Sequence, residues 1–201
     1  MHYISLNDIK KKDSKKIENY KFSIGKWENN NIIIKETNIF HDDYLNYLLI
    51  MKELKILTLL KSPHVLNIYG IAMNSSEEPK KSLVYENEFH KDQPFLMTLG
   101  EYINKHVKLF SMDERKSLVL QLLDAIIYLN ETCQIYHGNL TLSNILVIFK
   151  NPTEINNVQF KICNFEYSFT SNKTEEYQIS PPYPPSSRFT VEQSIWSDNK
   201  L

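Results

Sequence analysis

The sequence predicts an α+β protein of two unequal lobes: a small lobe of antiparallel strands with one helix, then a truncated, mainly helical C-lobe. Three observations predict it. Strand-type alternation broken by polar turns dominates residues 20–88. Helical spacing of apolar residues dominates Thr98 to Leu129. A chain of 201 residues with 42% hydrophobic and 23% charged residues can bury one core and is not of disordered composition.

The elements follow in order. Residues 1–19 read as a flexible Lys-rich arm, because Asn7 to Asn19 carries charge without apolar periodicity. From Tyr20 the pattern changes. Tyr20, Phe22 and Ile24 alternate, the polar run Glu28-Asn29-Asn30-Asn31 makes a turn, and Ile32-Ile33-Ile34-Lys35 makes the next strand. Tyr44 to Leu60 reads as a helix, with Tyr47, Leu48, Met51, Leu54 and Leu57 at helical spacing and Ser62-Pro63 as its stop. Val65 to Met73 and Ser82 to Glu86 are strands around a polar loop. The small lobe thus spans about 20–88 and the partial C-lobe about 89–201. In the latter, Thr98 to Val107 is a short helix. Met112 to Leu129 is a long one, apolar over most of its surface and expected to be well buried, with Asp113 near its start. A loop at Tyr136 to Asn144 and strands at Ile145 to Phe149 and Val158 to Cys163 precede a tail rich in Ser, Pro and aromatics.

Composition excludes several classes. A net charge of −1 gives no case for a nucleic-acid partner. Two cysteines, Cys133 and Cys163, cannot form a disulfide scaffold, which points to a reducing compartment. The N-terminal residues lack the apolar stretch of a signal peptide, His2 excludes N-myristoylation, and no apolar run is long enough for a membrane span. With 21 Lys against 2 Arg, 22 Ile, 20 Asn and 2 Ala, the codon bias is that of an AT-rich genome, such as a large DNA virus or a protist.

Chemistry-bearing segments follow one another in a telling order. Lys35 ends a strand and Glu53 sits on the next helix. Ser62-Pro63-His64-Val65-Leu66-Asn67-Ile68-Tyr69-Gly70 and Val84-Tyr85-Glu86 come next. Then come the loop Tyr136-His137-Gly138-Asn139-Leu140-Thr141-Leu142-Ser143-Asn144 and the segment Lys161-Ile162-Cys163-Asn164-Phe165-Glu166. The series resembles the signature motifs of the protein-kinase fold, in register over nearly the whole chain from Tyr20. The resemblance implies degenerate chemistry. Ser23-Ile24-Gly25-Lys26-Trp27 stands for the Gly-rich phosphate loop with one glycine left. Lys35 and Glu53 match the phosphate-pairing lysine and its helix partner. Asn139 replaces the aspartate that takes the substrate hydroxyl proton, and an amide is no general base. Asn164 replaces the metal-holding aspartate, while Asn144, the second metal position, is kept. The chain is therefore expected to be a pseudokinase without catalysis, bound metal or required cofactor. Metal-independent ATP binding at Lys35, Glu53 and Asn144 is the degenerate nucleotide site that remains. Leu57, Ile68, His137 and Phe165 match the column that links kinase lobes, with His137 a satisfied core histidine, and Tyr85 matches the gatekeeper.

Within kinases, the stretch 62–71, the His-Gly-Asn loop and Asn164-Phe165-Glu166 resemble the pseudokinase domain of the mixed lineage kinase domain-like family. That family carries His-Gly-Lys and Gly-Phe-Glu motifs at these places. Three departures stand out. About twenty residues precede Tyr20, too few for the family's membrane-permeabilising four-helix bundle. The activation segment, Tyr167 to Ile179 before Ser180-Pro181, looks short. The chain stops within a segment, Phe189 to Ser197, similar to the start of the large lobe's central helix, which should leave apolar surface of Leu120 to Leu129 uncovered.

A docking domain without the killing domain implies a decoy. The expectation is a viral, poxvirus-type homologue acting in the host cytoplasm. It would sequester the third receptor-interacting protein kinase of the host, keep it from phosphorylating the cellular mixed lineage kinase domain-like protein, and block necroptosis. Tyr183 and Phe189 are the aromatics available for partner contact, and Thr170, Ser171 and Thr174 lie where the family is phosphorylated. The alternative is a nucleotide-binding pseudokinase that allosterically regulates a different kinase. Lys35→Met would then be damaging, whereas a pure decoy fold would tolerate it.

Overall fold

The computed structural model describes residues 2–17, 20–37, 43–73, 81–88, 96–106, 110–149 and 157–170. A six-stranded sheet dominates, in the order β1-β5-β6-β4-β3-β2. Its strands are β1 (His2–Ser5), β2 (Ile9–Ile17), β3 (Tyr20–Trp27), β4 (Asn30–Thr37), β5 (Ile68–Met73) and β6 (Lys81–Glu86), with α1 (Asp43–Leu59) between β4 and β5. All pairs are antiparallel except β1 with β5. The second lobe holds β7 (Met97–Thr98), α2 (Leu99–His106), α3 (Met112–Ile127), β8 (Ile135–Tyr136), β9 (Ile145–Phe149), β10 (Val158–Ile162) and β11 (Phe169–Thr170). There β10-β9-β7 form one small sheet and β11-β8 another. No helix of the described residues is long and apolar enough to cross a membrane.

The N-terminal residues are not a flexible arm. β1 pairs with one edge of the sheet and β2 with the other, and residues 6–8 cross between them in a short 3-10 turn. The reason lies in β4. Ile32, Ile33 and Ile34 are all fully buried, so both faces of this strand are covered, which is why it reads as a continuous apolar run. Ile33 belongs to the main core with Ile50, Leu54 and Leu57 of α1. Ile32 and Ile34 face the other way and pack with Ile4, Ile9, Ala72 and Val84 in a second cluster, edged by Trp27 and Tyr69. The apolar residues of the supposed arm, at Ile4, Ile9 and Ile17, are too sparse to show a period but are each buried. Gly70 permits the docking of β1. A Cβ there would lie 2.0 Å from the His2 carbonyl oxygen.

Two further expectations change. The pairing of β2 with β3 runs to Ile17 opposite Tyr20, just before the lysine-bearing strand. The expected phosphate loop, Ser23 to Trp27, is instead part of β3, paired on both sides, with a bulge in β2 opposite Ile24 and Gly25. Gly25 serves close packing there, since a Cβ would lie 2.8 Å from the Lys10 carbonyl oxygen. The long helix α3 is also less buried than its composition suggests. Ala125 is its one fully buried residue, whereas Val119, Leu120, Leu123 and Ile127 are exposed. The described elements pack on one side of it only, with Gln121 accepting from the Phe160 N–H. Its cap is Ser111, and Asp113 lies in its first turn as expected. The Ser111 hydroxyl accepts from the Glu114 N–H and the Glu114 carboxylate accepts from the Ser111 N–H, a reciprocal capping box.

Candidate functional site

The motif residues converge between the lobes. β4 carries Lys35 and α1 carries Glu53 to a salt bridge of 2.6 Å, with both side chains within 1% of full burial. The sequence paired these two correctly. It did not reveal a third member. Phe165 to Tyr167 form a 3-10 turn held by the Ser168 N–H and hydroxyl, both donating to the Phe165 carbonyl. The turn carries Glu166 back onto Lys35, at 2.9 Å. Tyr20, at the start of β3, donates its hydroxyl to the other Glu166 oxygen and lays its ring 4.2 Å from the Lys35 ammonium. Tyr85, expected as the gatekeeper, is fully buried and donates to Glu53 at 2.9 Å, and the Phe165 N–H donates to the same oxygen at 3.2 Å. One ammonium thus serves two buried carboxylates.

The electrostatics follow from that count. Burial works against the Lys35 charge, but Glu166 and Glu53 outweigh it and hold the amine above its ordinary pKa. Burial also raises Glu166, yet Lys35 and the Tyr20 hydroxyl overcome it and hold this carboxyl below the usual range. Glu53 is left the weaker acid. Burial raises it, Lys35 lowers it, Glu166 raises it again, and it ends at about 7. The cluster carries net negative charge in a dry interior unless Glu53 takes up a proton. Glu53 therefore contributes stability that is complete below its unfolded value near 4.5 and is lost as pH rises through 7. Glu166 contributes the opposite way, and its share is lost only as pH falls below the ordinary carboxylate range. Thermal unfolding followed from pH 5.5 to 8 should show the melting point falling across neutrality. Full linkage amounts to about 1.4 kcal/mol per pH unit. Glu53→Gln should flatten the slope.

The catalytic-loop residues meet below this cluster. His137 is buried, with its ring 4.7 Å from that of Phe165. Its Nε2 donates to the Cys163 carbonyl at 2.9 Å and its Nδ1 accepts from the Asn139 N–H at 3.3 Å. Both nitrogens are used, and burial lowers its pKa, so it is the neutral core histidine expected. Gly138 has φ of 75°, and a Cβ would lie 2.3 Å from the Tyr167 carbonyl oxygen. The arginine usual at this place could not fit. Asn164 adopts the left-handed region at φ 68°, which asparagine tolerates. Its side-chain amide nitrogen donates to the Asn144 side-chain Oδ1 at 2.6 Å, and the Asn144 side-chain amide nitrogen donates to the Asn139 backbone carbonyl at 2.7 Å. The two metal-position side chains are thus tied to each other.

A divalent cation does not fit this set. It would meet two neutral amide oxygens, one of them already accepting a hydrogen bond, and no carboxylate. Among the described residues no group of three or more His, Cys, Asp or Glu could hold a metal ion. A nucleotide phosphate does not fit either while Lys35 is shared by Glu53 and Glu166. At the cleft mouth, Lys15 of β2 reaches across to Glu101 of α2 at 2.6 Å and to the Leu96 carbonyl at 3.0 Å. Neither residue was singled out from the sequence, since no local pattern links positions so far apart. Tyr183 and Phe189, proposed for partner contact, lie outside the described residues, as do Ser171 and Thr174. Thr170 is exposed on β11.

The comparisons with known proteins agree with this geometry at the level of family. No curated protein matches the chain. The protein kinase domain model matches residues 21–191, well over half of the sequence. With a lysine–glutamate pair, a His-Gly-Asn loop and an Asn-Phe-Glu turn assembled between two lobes, the chain belongs to the protein kinase domain family.

Proposed function

We propose that the chain is a pseudokinase that works by binding rather than by phosphoryl transfer. The observation that carries this is the paired loss of carboxylates. Asn139 stands where a base would accept the substrate hydroxyl proton, and Asn164 is hydrogen-bonded to Asn144 where a metal would sit. No cofactor is required. The partner is the third receptor-interacting protein kinase of the host, held away from the cellular mixed lineage kinase domain-like protein. The outcome is inhibition of necroptosis in the host cytoplasm, and the source is a poxvirus-type genome. What supports the finer reading is the motif likeness of 62–71, 137–139 and 164–166, together with the AT-rich codon bias. Free kinase falls as decoy rises, so abundance can offset modest affinity.

Co-expression of the tagged chain with the host kinase tests this. Capture of the kinase, with loss of phosphorylation of its cellular target and of death after a necroptotic stimulus, is expected. Failure of capture from a matched host overturns the partner while leaving the pseudokinase in place. The second reading, an allosteric regulator that senses nucleotide, draws on the retained Lys35–Glu53 pair. It requires ATP to bind the chain alone.

A further inference from the structure

In the cleft, the Lys35 ammonium is enclosed by two carboxylates and an aromatic ring. It has three N–H bonds. One meets Glu53 at 2.6 Å, one meets Glu166 at 2.9 Å, and the Tyr20 ring lies 4.2 Å away. Glu166 is not a surface side chain that has strayed inward. It is 1% exposed, its second oxygen accepts from the Tyr20 hydroxyl, and its backbone is fixed in the turn after Asn164. An arriving phosphate would have to displace Glu166 from Lys35 or lie beside two carboxylates in a medium of low dielectric. The strand above supplies the Tyr20 ring over the ammonium, and its Gly25 is taken up by close packing on the Lys10 carbonyl.

We propose that Glu166 is the resident anion of the phosphate subsite: its carboxylate makes the Lys35 contact that a nucleotide phosphate would make, so the chain excludes nucleotides from its own cleft. The inference rests on the reading of the chain as a pseudokinase, not on which partner it binds. It makes nucleotide refusal a property built by one side chain, and therefore one that a single substitution reverses. Glu166→Gly removes the anion and opens space beside Lys35, which keeps Glu53 as a partner. Glu166→Gln keeps the shape and removes the charge.

The test is thermal unfolding of the isolated chain with ATP at about 1 mM in EDTA, because the amide pair holds no cation. The parent should show no shift. Glu166→Gly should show a rise of several degrees, as expected when ligand is in large excess over Kd, and Glu166→Gln a smaller one. A shift in the parent overturns the proposal. So does a Glu166→Gly protein that folds by circular dichroism yet gains no shift. Should neither variant fold, the parent decides alone. An acyl-phosphate analogue of ATP, which acylates an amine beside its phosphates, should leave Lys35 unlabelled while labelling exposed Lys16 nonspecifically. Selective acylation of Lys35 overturns the proposal. These readouts need no partner kinase, so they fail or succeed independently of the capture experiment.

Discussion

Lys35→Met should cost a large share of the stability of this protein, in a cell or a test tube and with no nucleotide present. The sequence alone suggested that the change would be harmless to a binding fold. The geometry reverses that expectation. Lys35 is fully buried between Glu53 and Glu166, and removing it leaves two carboxylates facing each other without a cation. Breaking a buried ion pair by removing one partner costs about 3–5 kcal/mol. A domain of this size is stable by about 5–15 kcal/mol. Urea unfolding followed by tyrosine and tryptophan fluorescence should show the midpoint falling steeply, or no cooperative transition at all. The triple change Lys35→Met, Glu53→Gln, Glu166→Gln should recover much of the loss, because the uncompensated charge is gone. A single Lys35→Met chain as stable as the parent would mean that the carboxylates are neutral or hydrated, contrary to their burial. Lys35→Met is accordingly unsuitable as a nucleotide-dead control for partner binding.

Removal of residues 1–17 should be equally damaging, although their composition is that of a soluble tail. The segment contributes the buried side chains Ile4, Ile9 and Ile17 and covers Ile32, Ile34 and Val84. Burial of one such side chain contributes about 1.5–3 kcal/mol, so the three together supply on the order of 5 kcal/mol before the uncovered strands are counted. Loss of β2 also leaves β3 an unpaired edge and removes the Lys15 contact with α2. The expected result is an aggregating or molten product with bound hydrophobic dye. A sharp, parent-like melting transition in the shortened chain would show that the outer cluster contributes little. Gly70→Val separates the two strands. It should eject β1, through the clash with the His2 carbonyl, while leaving β2 in place, and hydrogen exchange should then rise at residues 2–5 more than at 9–17.

Much of the fold was legible because it is written in local pattern. The helix predicted from Tyr44 to Leu60 spans Asp43–Leu59, and the strand predicted from Ser82 to Glu86 spans Lys81–Glu86. The Ile-Ile-Ile-Lys run announced a strand, and its lack of alternation is explained by cover on both faces. The cover itself was illegible. Residues 9–17 read Ile-Lys-Lys-Lys-Asp-Ser-Lys-Lys-Ile, an edge strand whose solvent side is charged, as edges that avoid self-association often are. Such a strand shows almost no apolar period, so its charge density reads as that of a solvated arm. Because β2 is not legible as a strand, the first hairpin that the pattern offers is the one at Gly25, one hairpin further along the chain.

The sequence by itself determined which residue types stand at the motif positions. Amides at Asn139 and Asn164 cannot accept a proton or bind a hard cation as carboxylates do, and that is a property of the residue type wherever the chain puts it. It also determined the order of motifs, because order along the chain is what a family pattern records. Only the tertiary structure decided what became of the charges left behind. Glu166 lies 131 residues from Lys35 in sequence, and Tyr20 lies 146 from Glu166. No periodicity spans such intervals. Their meeting depends on how the turn at Phe165 to Tyr167 is aimed and on the hairpin that brings Tyr20 over the lysine. Only the fold brings a second buried glutamate, Glu166, onto a lysine that Glu53 already pairs.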